Sequence, residues 1–65
     1  MYISEYTVKK ILKEAGANRI SAKATQELQK YINKMAFDVA QKAVRLSKHA
    51  RRRTVDITDV KLAFS

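Results

Sequence analysis

The fold of this chain is decided by residues 21–50, which read SAKATQELQKYINKMAFDVAQKAVRLSKHA. This stretch contains neither Pro nor Gly, so no residue in it forces the backbone out of a helix. Its apolar side chains recur at steps of three or four residues, at Leu28, Ile32, Met35, Val39, Ala43, Leu46 and Ala50. That spacing puts them on one face of a helix. We therefore predict one long amphipathic helix, with Ser21 as its N-cap.

The length of this helix implies a partner chain. At 1.5 Å per residue it would run about 44 Å, whereas a compact globule of 65 residues has a diameter of only about 28 Å. The flanking segments are too short to cover its whole apolar face. Because the chain has no Cys, neither a disulfide nor a Cys-bound metal can support its small core. We expect an obligate dimer.

Charge is the strongest compositional signal. Fourteen Lys and Arg against six Asp and Glu leave a net charge of +8, which points to a polyanionic partner. Nucleic acid is the first candidate and an anionic membrane surface is the second. No apolar run approaches the ~20 residues that span a bilayer, and the absence of Cys fits a reducing compartment. We expect a cytoplasmic protein.

Shorter helices are predicted on both sides of the long one. Ahead of Gly16, apolar residues follow the helical spacing rule, at Val8, Ile11, Leu12 and Ala15. We predict a helix over residues 5–15, capped by Ser4 and ended by Gly16. Asp56 then looks like the N-cap of a last helix. The layout is short helix, loop, long helix, loop, short helix, within a single domain of residues 1–65.

The two loops carry a resemblance to a known family. Residues 16–21 read Gly-Ala-Asn-Arg-Ile-Ser, similar to the first-loop motif Gly-Ala-Glu-Arg-Val-Ser of archaeal histones. Residues 46–55 read Leu-Ser-Lys-His-Ala-Arg-Arg-Arg-Thr-Val, similar to the family's Leu-Ala-Lys-His-Ala-Gly-Arg-Lys-Thr-Ile. The match covers the whole chain without gaps. It implies the all-α histone fold and an intertwined handshake dimer, in which two long helices cross head to tail.

The resemblance also implies a surface for double-stranded DNA, where each first loop lies beside the partner's second loop. The positions that carry over are Lys10, Lys13, Arg19, Arg52, Arg53 and Thr54. By this resemblance, Arg19 enters the minor groove and Thr54 of the other chain steadies it. Arg52 forms a structural ion pair with Asp59, and Arg53 meets phosphate. Such contacts read groove width and backbone charge rather than bases, so we expect sequence-tolerant, salt-dependent binding.

Two pairs of residues match the positions that join histone dimers in this family. They are Leu46 and His49 on the long helix, and Asp59 and Leu62 on the last helix. Each pair is spaced i, i+3, so each presents one face. The resemblance therefore implies a tetramer or a longer stacked oligomer. A contact between His49 and Asp59 there would be pH-sensitive near neutrality.

Several basic residues have no counterpart role in this resemblance, namely Lys23, Lys30, Lys34 and Arg51. Arg51 stands where the family usually has Gly, which would strain a left-handed backbone. The extra charge of Lys23, Lys30 and Lys34 lies away from the expected DNA surface, so a second duplex contact, bridging rather than wrapping, stays open. The bland alternatives are a solvated charge run at residues 51–53 and a purely structural Arg52.

We expect a chromosome-associated (nucleoid) protein that compacts DNA as a homodimer or a larger oligomer. The sequence has no nucleophile–base pair, metal cluster or phosphate-cradling Gly loop, so we expect no enzyme activity, cofactor or metal. The runner-up is a histone-fold subunit that heterodimerises within a transcription-factor complex; a heterodimer with a paralogue is a further alternative. A third class, a basic peptide that becomes helical only on anionic membranes, would lack helix in plain buffer.

Overall fold

The computed structural model describes residues 2–65 and contains three α-helices in that part of the chain. They are α1 (Glu5–Glu14), α2 (Ala22–His49) and α3 (Ile57–Phe64). The prediction of an all-α fold, with a long central helix between two short ones, is confirmed. None of the three helices combines the length and the apolar character that crossing a bilayer requires.

Helix α2 contributes to two compact units, one ending at Lys34 and the other spanning Met35–Ser65. The first unit contains α1, the first loop and the beginning of α2. The second unit contains the rest of α2, the second loop and α3. The single domain expected over residues 1–65 stays a prediction.

In the first unit, α1 begins at the predicted residue and ends at Glu14, one residue before the predicted end. The Ser4 hydroxyl accepts a hydrogen bond from the backbone N–H three residues later, at 3.2 Å, which is an N-cap contact. Gly16 has a φ of 111°, and its N–H donates to the Lys13 carbonyl at 3.0 Å. The Ala17 N–H donates to the Leu12 carbonyl at 3.0 Å. This pair of bonds is a Schellman motif, so Gly16 is the C′ residue that ends α1.

In the second unit, α2 ends in the same motif with Arg51 as its C′ residue. The Arg51 N–H donates to the Lys48 carbonyl at 2.9 Å, and the Arg52 N–H donates to the Ser47 carbonyl at 3.0 Å. Arg51 has a φ of 59°, and it is the one non-Gly residue with positive φ in the described part of the chain. The left-handed backbone in which an Arg would be strained is therefore present at this position, since a Cβ disfavours that region.

Helix α3 begins with a capping box made by two aspartates. The Asp56 carboxylate accepts from the Ile57 N–H at 2.7 Å, and the Asp59 carboxylate accepts from the Asp56 N–H at 2.8 Å. Asp56 is therefore the N-cap, as predicted, and Asp59 occupies the N3 position.

The apolar face predicted on α2 is only partly buried. Of the residues on this face, Ala43 is buried. Four bulkier residues are partly buried: Leu28, Ile32, Val39 and Leu46. Met35 and Tyr31 remain 51% and 59% exposed. In each unit, one short helix packs against a segment of α2, and a short helix covers too little of a broad apolar face to bury it.

Candidate nucleic-acid interface

Arg19 lies in the first loop, between the capped end of α1 and the capped start of α2. The Schellman motif fixes the end of α1, and the Ser21 hydroxyl accepts from the Ala24 N–H at 3.0 Å at the start of α2. Ile20 is half-buried beside the exposed Arg19. Among residues 2–65, the Arg19 guanidinium has no hydrogen-bond or ion-pair partner. This loop therefore holds an uncompensated cation on a well-defined backbone.

One face of α1 carries the two predicted lysines together with Lys9, which the sequence places on the same polar side, and Tyr6, which was not predicted as part of the site. Lys10 and Lys13 line a hollow of about 240 Å³ with Tyr6 and Lys9. All four side chains are exposed. Their helical spacing was the available signal, since residues three and four apart lie side by side on a helix. The stripe gathers three ammonium groups beside one phenol ring.

The second loop is held by a bidentate ion pair between Arg52 and Asp59. The Arg52 Nη1 and Nη2 atoms donate to the two Asp59 carboxylate oxygens at 2.8 and 2.7 Å. Asp59 is 2% exposed. Its pKa falls to about 2, because Arg52 and the Asp56 N–H donate hydrogen bonds to the carboxylate. The same pair raises the pKa of Arg52, so both groups stay charged.

Ser47 on α2 also holds this loop, through the loop's backbone, and sequence reasoning missed it. Its hydroxyl lies 3.0 Å from the Thr54 carbonyl oxygen and 3.2 Å from the Arg52 carbonyl oxygen. Arg52 Nη1 also reaches the Thr54 carbonyl oxygen at 3.3 Å. Ser47 is buried, so these bonds form away from competing water. The exposed side chains of Arg53 and Thr54 therefore project from an ordered loop.

The predicted DNA-binding residues divide between the two units. The second unit brings Arg52, Arg53 and Thr54 together in one loop, whereas the first unit holds Lys10, Lys13 and Arg19. A juxtaposition of the two loops between chains stays a prediction.

Three of the four residues expected between dimers line one hollow of the second unit. Leu46, His49 and Leu62 surround a volume of about 320 Å³. Leu62 is 65% exposed. Asp59 does not line this hollow, because both of its oxygens are engaged with Arg52 in the interior. The structure thus separates Asp59 from the other three.

The remaining basic residues lie on exposed helical surface. Lys30 approaches Glu27 at 4.0 Å, with both side chains more than half exposed, and such a pair contributes little stability. Arg45, Lys48 and His49 line a further hollow of about 310 Å³. No group of three or more His, Cys, Asp or Glu side chains in residues 2–65 is arranged to hold a metal ion.

Comparison with known proteins places these loops in context. The family of histone-like transcription factors (CBF/NF-Y) and archaeal histones matches residues 3–64. A probable archaeal histone 3 of Methanocaldococcus jannaschii is 44% identical over 55 residues, which cover 85% of this chain and 82% of that protein. One subunit of the archaeal histone HAN1 of Thermococcus zilligii is 38% identical over 56 residues, covering 86% of this chain and 84% of that protein.

Proposed function

This chain belongs to the family of histone-like transcription factors and archaeal histones, and from that premise we propose that it binds and compacts double-stranded DNA. The proposal rests on the ordered second loop. Arg52 is locked on Asp59 at 2.7–2.8 Å, so the neighbouring exposed cation Arg53 has a fixed backbone. Together with a net charge of +8, this favours contact with the phosphate backbone of a duplex.

The proposed binding surface combines six residues and reads DNA shape rather than sequence. They are Lys10, Lys13, Arg19, Arg52, Arg53 and Thr54. Arg19 enters the minor groove, where width and negative potential attract a guanidinium. Lys10, Lys13 and Arg53 meet phosphates, while Arg52 holds the loop in place through Asp59. The role is architectural, with no catalysis, cofactor or metal, and the protein is associated with the chromosome in the cytoplasm.

The working form is proposed to be a homodimer built on α2, in which each chain acts as a single domain. Helix α2 has 28 residues, or about 42 Å at 1.5 Å per residue. Tyr31, Met35 and Val44 on its apolar face are 59%, 51% and 39% exposed. Crossing a second α2 over these side chains would remove them from water, which is the main driving force for association.

Larger assemblies use the hollow lined by Leu46, His49 and Leu62. An exposed Leu beside a half-buried one gives an apolar contact between dimers, which would yield a tetramer or a stacked oligomer. Asp59 supports this contact indirectly, since its carboxylate anchors the start of α3. Bridging of two duplexes through Lys23, Lys30 and Lys34 is the alternative mode of compaction.

A salt series on random-sequence duplex DNA tests the proposal. The wild-type protein is expected to bind all sequences with similar affinity. The logarithm of that affinity should fall linearly with the logarithm of the salt concentration. Arg19→Ala should weaken binding and lower that slope. Lys61→Ala, an exposed residue of α3, removes the same charge away from the surface and is the matched control. Equal effects of the two substitutions would contradict the assigned surface.

Nuclease digestion of the complexes then separates the two modes of compaction. A ladder of regular protected lengths supports wrapping by stacked dimers, whereas cross-linked duplexes without a ladder support bridging.

The second candidate is a protein that heterodimerises within a transcription-factor complex or with a paralogue. The matched family contains both transcription factors and histones, so membership alone does not separate them. Sedimentation of the purified chain does. A folded dimer in plain buffer supports the histone role, and a chain that folds only with a different partner supports the other.

A further inference from the structure

We propose that Arg51 is a DNA-contacting residue of the second loop and supplies, with Arg53, the phosphate-binding charge of that loop. The inference rests on the proposed function, because it names a further contact of the same surface. It also gives the three successive arginines different roles: Arg51 and Arg53 bind phosphate, and Arg52 holds the loop in place.

The first observation is the backbone of Arg51. Its φ of 59° lies in the left-handed region, and its N–H makes the C′ bond that ends α2. Gly is the residue that suits this position, because a Cβ there meets the preceding backbone. The first loop uses Gly16 at the equivalent place. A residue held in a disfavoured conformation is a common mark of a functional contact.

The second observation is the distribution of free charge along the loop. Both Nη atoms of Arg52 are bound to the Asp59 carboxylate, so the charge of Arg52 is neutralised within the chain. Arg51 is exposed, and its guanidinium has no hydrogen-bond or ion-pair partner within the described residues. Arg53 is exposed in the same way. The cations of this loop that are free to meet an external anion are therefore Arg51 and Arg53.

With the proposed function as the premise, these observations favour backbone phosphate of duplex DNA as the ligand. A guanidinium binds a phosphate through two parallel N–H bonds. The ordered loop between α2 and α3 would offer two such groups two residues apart, flanking the locked Arg52. A merely tolerated Arg would leave the strain of Arg51 without any compensating contact.

Arg51→Gly tests this inference because its two expected effects have opposite signs. The substitution relieves the left-handed strain, so the melting temperature should rise. It also removes one phosphate contact per chain, and each contact contributes about 0.9 to the salt slope. A dimer loses two such contacts, so the slope of log affinity against log salt concentration should become shallower by about 1.8. If the variant and the wild type bind equally at 1 M salt, the variant binds about 60-fold more weakly at 0.1 M salt.

Two further variants separate charge from strain. Arg51→Asn removes the charge with a residue that tolerates the left-handed region, so its DNA affinity should fall as far as that of Arg51→Gly. Arg51→Lys keeps both charge and strain, so its salt slope should match the wild type.

A higher melting temperature for Arg51→Gly, with unchanged affinity and slope, would overturn the inference and leave the proposed function standing. Failure of the wild-type protein to bind duplex DNA at low salt would overturn both. An equal loss of DNA affinity in Lys61→Ala, which removes a charge from α3 without placing Gly in the helix, would also count against Arg51, because it would show a general charge effect.

Discussion

A buried polar clip joins the N-terminal segment to α2, and Gln29→Ala tests its contribution to stability. The Gln29 Nε2 atom donates to the Ile3 carbonyl at 2.7 Å, and the Asn33 Oδ1 atom accepts from the Ile3 N–H at 2.8 Å. Gln29 and Asn33 are 6% and 7% exposed. Both backbone groups of Ile3 are thus satisfied by side chains one helical turn apart.

The expected cost of Gln29→Ala follows from the groups it leaves unpaired. Loss of a neutral hydrogen bond costs about 1 kcal/mol, and an unpaired carbonyl in a part-buried place adds about 1 kcal/mol or more. Ala favours helix slightly more than Gln, which offsets a few tenths of a kcal/mol. A net loss of about 2 kcal/mol per chain should lower the melting temperature by about 10 °C.

Thermal melting at one fixed chain concentration measures this effect, since association makes the midpoint depend on concentration. Hydrogen exchange at the Ile3 amide is a local readout for Asn33→Ala instead, because that N–H donates to the Asn33 Oδ1 atom. Gln26→Ala is the matched control, as Gln26 is an exposed residue of the same helix. Equal melting temperatures for Gln29→Ala and Gln26→Ala would refute the reasoning.

Three further predictions concern other parts of the molecule. The pKa of Asp59 is lowered to about 2 in the fold, compared with about 4 for an Asp in the unfolded chain. The ionised carboxylate therefore stabilises the fold above about pH 4, and this contribution is lost as pH falls towards 2. Urea unfolding of Asp59→Asn should therefore show a deficit at pH 7 that shrinks between pH 4 and 2, and a pH-independent deficit would contradict this. Met35→Lys should block dimerisation in sedimentation velocity, while Met35→Leu should not; a dimeric Lys variant would place the interface elsewhere. Leu62→Lys should leave dimers that no longer form tetramers, and an unaltered oligomer distribution would remove the assigned hollow.

The helices were predictable from sequence because their signals are local. The apolar spacing of α2 predicts a helix from Ser21 to Ala50, and the structure places its ends one residue inside each bound. Gly16 and Asp56 act at the positions that their backbone and capping chemistry favours. Each of these signals involves residues within about one helical turn, so no tertiary information was needed.

The polar clip and the Ser47 contacts were not predictable in the same way. Gln29 and Asn33 meet Ile3 across 26 and 30 positions of sequence, and apolar periodicity carries no information about such pairs. From sequence alone, a polar residue on α2 is expected to be exposed to solvent, because its hydrogen-bond partner is not known. Ser47 is a further case, since its bonds reach a loop without regular structure.

The candidate site was predictable only through its loop motifs. Spacing alone does not pair Arg52 with Asp59, because the intervening loop has no fixed period, whereas the family motif names both. The motif also marks position 51 as one that favours Gly, which anticipates the left-handed Arg51. The stripe on α1 that adds Tyr6 and Lys9 lies outside the motif.

The carboxylate of Asp59 stabilises two parts of the chain. It accepts hydrogen bonds from Arg52 in the second loop and from the Asp56 N–H at the start of α3. Because one carboxylate serves both, opening the loop also removes a bond from the start of α3, and the loop becomes ordered when the helix forms. Its conformational entropy is thus lost during folding and not again on meeting a ligand, which is the advantage of a preorganised surface. Under the proposed function, a DNA duplex that binds at this loop would therefore have to adapt its shape to the protein rather than the reverse.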